Sequence, residues 1–289
     1  MYKKWTPYLF LAPHLFFFTV FLVIPVFYGI HISLHEWNYL AEPDFVGLDN
    51  YRKLLFEPAS IEFQEFWNAF GNTVFFVLLT VPLLIVIPLA LALAVNSKVK
   101  GRNLFRAVFF VPTMFSVATV VLVWVWILDT NAGVVNYYLG RNIPWLSDLP
   151  WVWISLTVIT VWWTAGTNMI LFLAGLQDIP DHLYEAAWID GAGAWQRFRH
   201  VTLPGLTGPF VYVTITTTIA SFNVFGQPHM ATRGGPGTET ETLLMHIRQT
   251  AFSDFEMGSA AAMALIMAAV LLVISYLQFR YFRPDRFAR

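Results

Sequence analysis

Residues 70–95 read FGNTVFFVLLTVPLLIVIPLALALAV, without one charged side chain. A helix of about 20 apolar residues crosses a hydrocarbon layer of roughly 30 Å, and a soluble domain does not accommodate runs of this length. The pattern recurs, so that six spans are expected at about 8–34, 70–95, 105–128, 151–176, 206–225 and 258–279. Charged residues make up only 12% of the 289, against about 25% in soluble domains. The chain therefore reads as an integral membrane protein. Its opening, MYKKWTPYLFLAPHLFFFTVFLVIPVFYGI, has an apolar run longer than the 7–15 residues of a signal peptide and no small-residue cleavage pattern. It reads as an uncleaved first helix. The net charge of −1 argues against nucleic acid as a partner, and the absence of cysteine excludes disulfides and thiolate chemistry.

The expected fold is all-α, one polytopic domain over residues 1–289. The fifth segment, GPFVYVTITTTIASFNVF, is β-branched enough to suggest a strand, but an open strand leaves its edge unpaired in lipid, so a helix is expected. The Ala-rich sixth segment suits close helix contact. Pro13, Pro25, Pro82, Pro88 and Pro112 imply bent helices, with transport-linked hinges as the alternative. With the N-terminus in the cytoplasm, Lys3, Lys4, Lys98, Lys100, Arg102, Arg106, Arg197, Arg199, Arg280, Arg283, Arg286 and Arg289 fall inside. Arg52, Lys53, Arg141, Arg233 and Arg248 fall outside, a division of 12 against 5 among all 17. Positive residues favour the cytoplasmic side, which puts both termini there. The segments 35–69 and 226–257 become long external loops, beyond the usual 4–6 residues of a connector.

Polar and aromatic groups at membrane depth are the candidate binding residues. The fourth span offers Trp162, Trp163, Thr164, Thr167 and Asn168, and the fifth offers Thr214, Thr216, Thr217, Thr218, Ser221 and Asn223, with Gln227 just beyond. Of these, Trp162, Trp163, Asn168, Thr217, Ser221, Asn223 and Gln227 are the substrate-binding candidates. Aromatic faces with amides and hydroxyls suit a neutral sugar. For each Thr or Asn, an interhelical hydrogen bond is the competing role. Trp145, Trp151 and Trp153, near span ends, read as an interfacial belt. No acid or cation falls deep within a span, which disfavours a proton relay. The scattered histidines have no metal-ligand spacing. RGGPGTE lacks the Lys-Ser/Thr and the preceding strand of a phosphate loop.

The segment 185–204, EAAWIDGAGAWQRFRHVTLP, is too polar for a bilayer. Pro180 and Asp181 suit a first helical turn, and Leu183, Ala186, Ala187 and Asp190 project to one side. Gly191 and Gly193 end that helix, and AWQRFRHVTL forms a second, with Trp195, Phe198 and Val201 on one face. A lipid-resting helix normally carries Lys and Arg, whereas this region bears Asp178, Asp181, Glu185 and Asp190. A protein partner is the favoured reading and lipid the alternative.

The segment closely resembles the EAA loop of binding-protein-dependent ABC importer permeases, E-A-A-x-x-D-G-A followed by a spaced Phe and Leu-Pro. Glu185, Ala186, Ala187, Asp190, Gly191, Ala192, Phe198, Leu203 and Pro204 meet it without gaps. FVGLDNYRKLL (45–55), KGRNLFRAVFFVP (100–112) and GGPGTETETL (234–243) resemble segments of the carbohydrate-type branch that holds the maltose and glycerol-phosphate permeases. The resemblance implies a cytoplasmic coupling helix in loop 178–205, between spans four and five, seated in a groove of an ATPase. It implies a bacterial or archaeal inner membrane, a second related permease subunit, two ATPase subunits that bind the ATP, and an external solute-binding protein. The cargo would be a sugar, oligosaccharide or sugar-like solute, and the chain itself would hold no cofactor and catalyse nothing. The alternative is a stand-alone secondary carrier or channel for a small neutral solute.

Overall fold

The computed structural model describes residues 6–38, 42–97 and 101–282. Lys3, Lys4, Lys98, Lys100, Arg283, Arg286 and Arg289, used above for orientation, lie outside the described residues. Backbone groups that meet no water must pair within their own segment, and the described residues are mostly helical accordingly. In chain order the helices are α1 (Thr6–Phe18), α2 (Ile24–Ser33), α3 (Asp49–Phe56), α4 (Ile61–Asn96), α5 (Arg102–Phe110), α6 (Val117–Ile127), α7 (Val134–Leu139) and α8 (Trp151–Gln177). They continue with α9 (Asp181–Ile189), α10 (Ala194–Arg197), α11 (Leu203–Gly205), α12 (Thr207–Phe222), α13 (Gly226–Ala231), α14 (Leu243–Phe252) and α15 (Met257–Tyr281). One antiparallel ribbon departs from the all-α expectation: β1 (His35–Glu36) pairs with β2 (Asp44–Phe45), His35 opposite Phe45.

Four stretches among the described residues are long and apolar enough to cross a membrane: Tyr8–Ser33, α4, α8 and α15. The third expected span, 105–128, is not one rod. Its two parts, Arg102–Met114 and Val117–Ile127, meet at 101°. Pro112 removes a helical donor in a 3₁₀ turn, Phe115 is extended at ψ 149°, and the Ser116 hydroxyl accepts the Thr119 N–H at 3.3 Å to start a new helix. The fifth segment is helical, as expected, but α12 has only 16 residues. Two of its threonines donate within the helix: Thr216 to the Tyr212 carbonyl at 2.8 Å and Thr218 to that of Thr214 at 2.7 Å.

The described residues divide into two compact units, one within Met1–Trp67 and His246–Val270, the other within Asn68–Met245 and Leu271–Arg289. In the first, Asn50 Nδ2 donates to the carbonyls of Ser33 and His35 at 2.9 and 3.0 Å, fixing α3 beneath the ribbon. Met257 N–H reaches the Trp37 carbonyl at 3.0 Å. Gly258 lies so close to the His35 carbonyl that no side chain fits there.

In the second unit α8 is the central helix. Met169, Phe172, Leu173 and Leu176 pack with Ala92, Val95, Leu206 and Val213. Two glycines let neighbours approach α8 closely: at Gly166 a Cβ would strike the Phe109 backbone, and at Gly175 it would strike Pro209. Trp153 is buried against Phe75 and Phe76 rather than sitting in a belt, because its helix face turns inward. The 226–257 loop carries α13, α14 and a knot of hydroxyl bonds in which Thr232 and Thr240 meet at 2.7 Å. The described residues of segment 35–69 likewise carry the ribbon and α3, and α4 begins nine residues before the expected span.

Candidate functional site: an uncharged cavity and a bent polar loop

A cavity of about 510 Å³ opens in the second unit. Helix α8 contributes Thr160, Trp163, Thr164, Thr167, Asn168 and Leu171, which recur at helical spacing on one face. Helix α12 contributes Tyr212, Thr216, Thr217, Ala220 and Ser221 in the same way, and Asn223 follows. Phe225, Gly226 and Gln227 close one end, and Phe76, Leu84 and Val117 add apolar wall. Val117 presses on Gly226, where a Cβ would come within 2.7 Å of it, and this seats α13 against α6. Among the described residues, none of those lining it is charged.

Several polar groups on this wall are already engaged. Thr160 donates to the Leu156 carbonyl at 2.8 Å and Thr164 to that of Thr160 at 2.7 Å. Asn223 donates to the Ile219 carbonyl at 2.8 Å. Trp163 Nε1 donates to the Phe115 carbonyl at 3.1 Å, which bonds the cavity wall to the break between α5 and α6. Asn168 Nδ2 donates to the Leu84 carbonyl at 2.9 Å and to Thr217 Oγ1 at 3.2 Å. The side chains of Ser221 and Gln227, both buried, have no hydrogen-bond partner among the described residues.

Of the seven candidates read from sequence, Trp163, Asn168, Thr217, Ser221, Asn223 and Gln227 line this cavity. Trp162 does not. It turns to the other side of α8, half exposed, and meets Trp124 edge-on at 5.6 Å.

The 178–205 segment is two short helices about a bend. Pro180 precedes α9 rather than opening it, and Asp181 is the first helical residue. At the far end Gly191 has φ +75°, Gly191 N–H bonds the Trp188 carbonyl at 3.0 Å, and Ala192 N–H bonds the Ala187 carbonyl at 2.9 Å. This pair of bonds is a Schellman end, which requires a left-handed residue at the position Gly191 holds. The Gln196 side chain then accepts the Gly193 N–H at 2.8 Å and starts α10. Tyr184 and Thr202 hydroxyls meet at 3.0 Å and bind the two helices to each other. Glu185, Ala186 and Asp190 are exposed, Ala187, Ala192, Phe198, Leu203 and Pro204 are half-buried, and Trp195 lies 5.5 Å from Phe198. Trp188, Ile189 and Trp195 are 71%, 80% and 69% exposed, an apolar surface beside the two acids.

Residues 86–286 match the family described as binding-protein-dependent transport system inner membrane component. The chain belongs to this family. The permease is 34% identical, over 286 residues, to the trehalose/maltose transport system permease protein MalF of Thermococcus litoralis, covering 96% of this chain and 94% of that one. It is 33% identical, over 273 residues, to the probable starch degradation products transport system permease protein AmyD of Thermoanaerobacterium thermosulfurigenes, covering 94% and 91%. The crystal structure of a bacterial ABC transporter involved in import of the acidic polysaccharide alginate shares its fold, with TM-score 0.82 at 24% identity over 97% of this chain and 96% of that chain. The permease is thus a multi-pass membrane component of a transport system and not an enzyme.

Sequence reasoning missed Thr160, Tyr212 and Phe225 on the cavity wall of the permease. Thr160 stands four residues before Thr164, and Tyr212 four before Thr216. Extending each polar stripe by one turn finds both. Phe225 lies past the helix end, where no periodicity operates.

Proposed function

We propose that this permease is one membrane subunit of an ATP-driven importer for a neutral sugar, oligosaccharide or sugar-like polyol. One observation carries the substrate class: the cavity is uncharged, bears Trp163, Tyr212 and Phe225, and leaves Ser221 and Gln227 free to pair with a hydroxyl-rich guest. Polar groups that line a cavity without a protein partner are available to the hydroxyls of a sugar. Relatives named for trehalose/maltose and starch products support the same class.

In this reading six segments cross the membrane, the third as a broken crossing and the fifth as a shortened one, with both termini cytoplasmic. Loop 178–205 then faces the cytoplasm and enters a groove on an ATPase subunit as helix-in-groove recognition. Glu185 is its polar anchor, Ala186 and Ala187 its close-contact surface, and Gly191 the bend that turns α9 into a lever; Asp190, Ala192, Phe198, Leu203 and Pro204 hold its shape. The assembly comprises a second permease subunit, two ATPase subunits that bind ATP, and an external binding protein that delivers the sugar. Dependence on a binding protein distinguishes this system from a carrier working alone.

The test is uptake by the whole transporter in vesicles, with ATP inside and the binding protein outside, offered a panel of neutral oligosaccharides and one uronate oligosaccharide. Accumulation of a neutral sugar is expected only with ATP and binding protein, and Gln227→Ala should lower it about tenfold. Preference for the uronate, or accumulation by the permease alone, overturns the proposal.

A further inference from the structure

Helix α4 contains Pro88, and proline has no N–H. The carbonyl four residues earlier, that of Leu84, therefore loses the donor a helix normally supplies. Leu84 is itself buried, so its carbonyl needs a partner to take the place of that donor. The structure supplies a replacement from another helix. Asn168 of α8 sends one amide hydrogen to the Leu84 carbonyl at 2.9 Å and the other to Thr217 Oγ1 of α12 at 3.2 Å. A primary amide has two hydrogens, and both are used. One side chain thus joins three helices at the point where they form the cavity wall.

We infer that Asn168 is a positioning residue for transport: it stands in for the N–H that Pro88 lacks and sets the placement of α4 and α12 around the cavity. A ligand-binding asparagine would keep its donors for the guest. Here they are committed to protein, and only Oδ1 remains for a guest. The pin joins two partners of different strength. Pro88 denies the Leu84 carbonyl its usual helical donor, whereas the Thr217 hydroxyl only accepts the second amide hydrogen, at the longer distance of 3.2 Å. The bond to Leu84 is therefore the one whose loss is felt. It is also a side-chain bond, which can break and remake without unwinding α4, as a wall that changes its access side requires.

This inference rests on the transport reading above, and its test separates the two. Wild-type transporter that moves no neutral sugar sinks that reading alone. With wild-type uptake in hand, three variants are compared: Asn168→Leu, Pro88→Ala, and both together. Asn168→Leu should lower maximal uptake about tenfold while KM for the sugar changes less than about twofold. Pro88→Ala returns an N–H to the Leu84 carbonyl, so the double variant should recover several-fold over Asn168→Leu, in maximal rate and in the melting temperature of the detergent-purified complex. If Asn168→Leu alone does not assemble, recovery of assembled complex in the double variant is the same result. A rise in KM with the rate preserved would make Asn168 a direct sugar ligand and overturn the inference. Failure of Pro88→Ala to restore any of the three quantities overturns it equally.

Discussion

Glu256 lines a 380 Å³ pocket of the first unit with Glu36, Glu42, Asp44, Glu62 and Asp254, where Lys53 is the one lining cation among the described residues. Burial raises its pKa from 4.5, and Glu62 and Asp254 add to the rise against the opposing pull of Lys53. The folded chain therefore holds this proton more tightly than the unfolded chain does. The associated stability is present below the ordinary carboxylate range and is lost as pH rises through the elevated value, so at neutral pH the charged Glu256 opposes folding. Glu256→Gln should raise the melting temperature of the purified permease at pH 7, and the gain should vanish below about pH 4, where both states are protonated. A gain that persists in acid would show that the amide works through packing and not through charge.

The bent loop shows how one residue governs an element. Nothing lies within 4 Å of a Cβ placed on Gly191, so the obstacle to substitution there is its φ of +75° and not space. Asn tolerates that region and β-branched residues do not. Gly191→Asn should retain most uptake, whereas Gly191→Val should cost about 1–2 kcal/mol at the bend and abolish ATP-driven uptake with membrane insertion intact. Equal uptake in the two variants would remove the bend from the coupling path. That bend was legible in the sequence because glycine chemistry is local. The break in the third span was legible only in part: Pro112 implied a bend, yet an apolar sum over 105–128 carries no direction and gives neither the size of the bend nor the new helix that starts at Ser116. Adjacent Trp162 and Trp163 show the other limit. Neighbours on a helix point about 100° apart, and what fixes the phase of α8 is the close approach of Phe109 at Gly166 and Pro209 at Gly175, contacts between residues far apart in sequence. The helices inside 35–69 and 226–257 escaped for a similar reason, since Asn and Thr side-chain bonds such as Asn72 Nδ2 to the Glu241 carbonyl at 3.1 Å leave no periodic trace.

At the scale of the whole chain, everything said of coupling depends on which side of the membrane loop 178–205 occupies. The division of Lys and Arg, 12 against 5, favours the cytoplasm, and the geometry of α8 turns this into a sharp test. Its 27 residues extend about 40 Å, enough for one full crossing. Ser147, exposed before α8, and His182, exposed just after it, must then lie on opposite sides. The chain has no cysteine, so a single introduced thiol reports its own location. In intact spheroplasts a membrane-impermeant maleimide should label Ser147→Cys, and should reach His182→Cys only after permeabilisation. Labelling of both without permeabilisation would mean α8 does not cross. The reversed pattern would put Glu185, Trp188 and Trp195 outside, where no ATPase could engage them, and the exposed apolar face beside those acids would need an external partner instead.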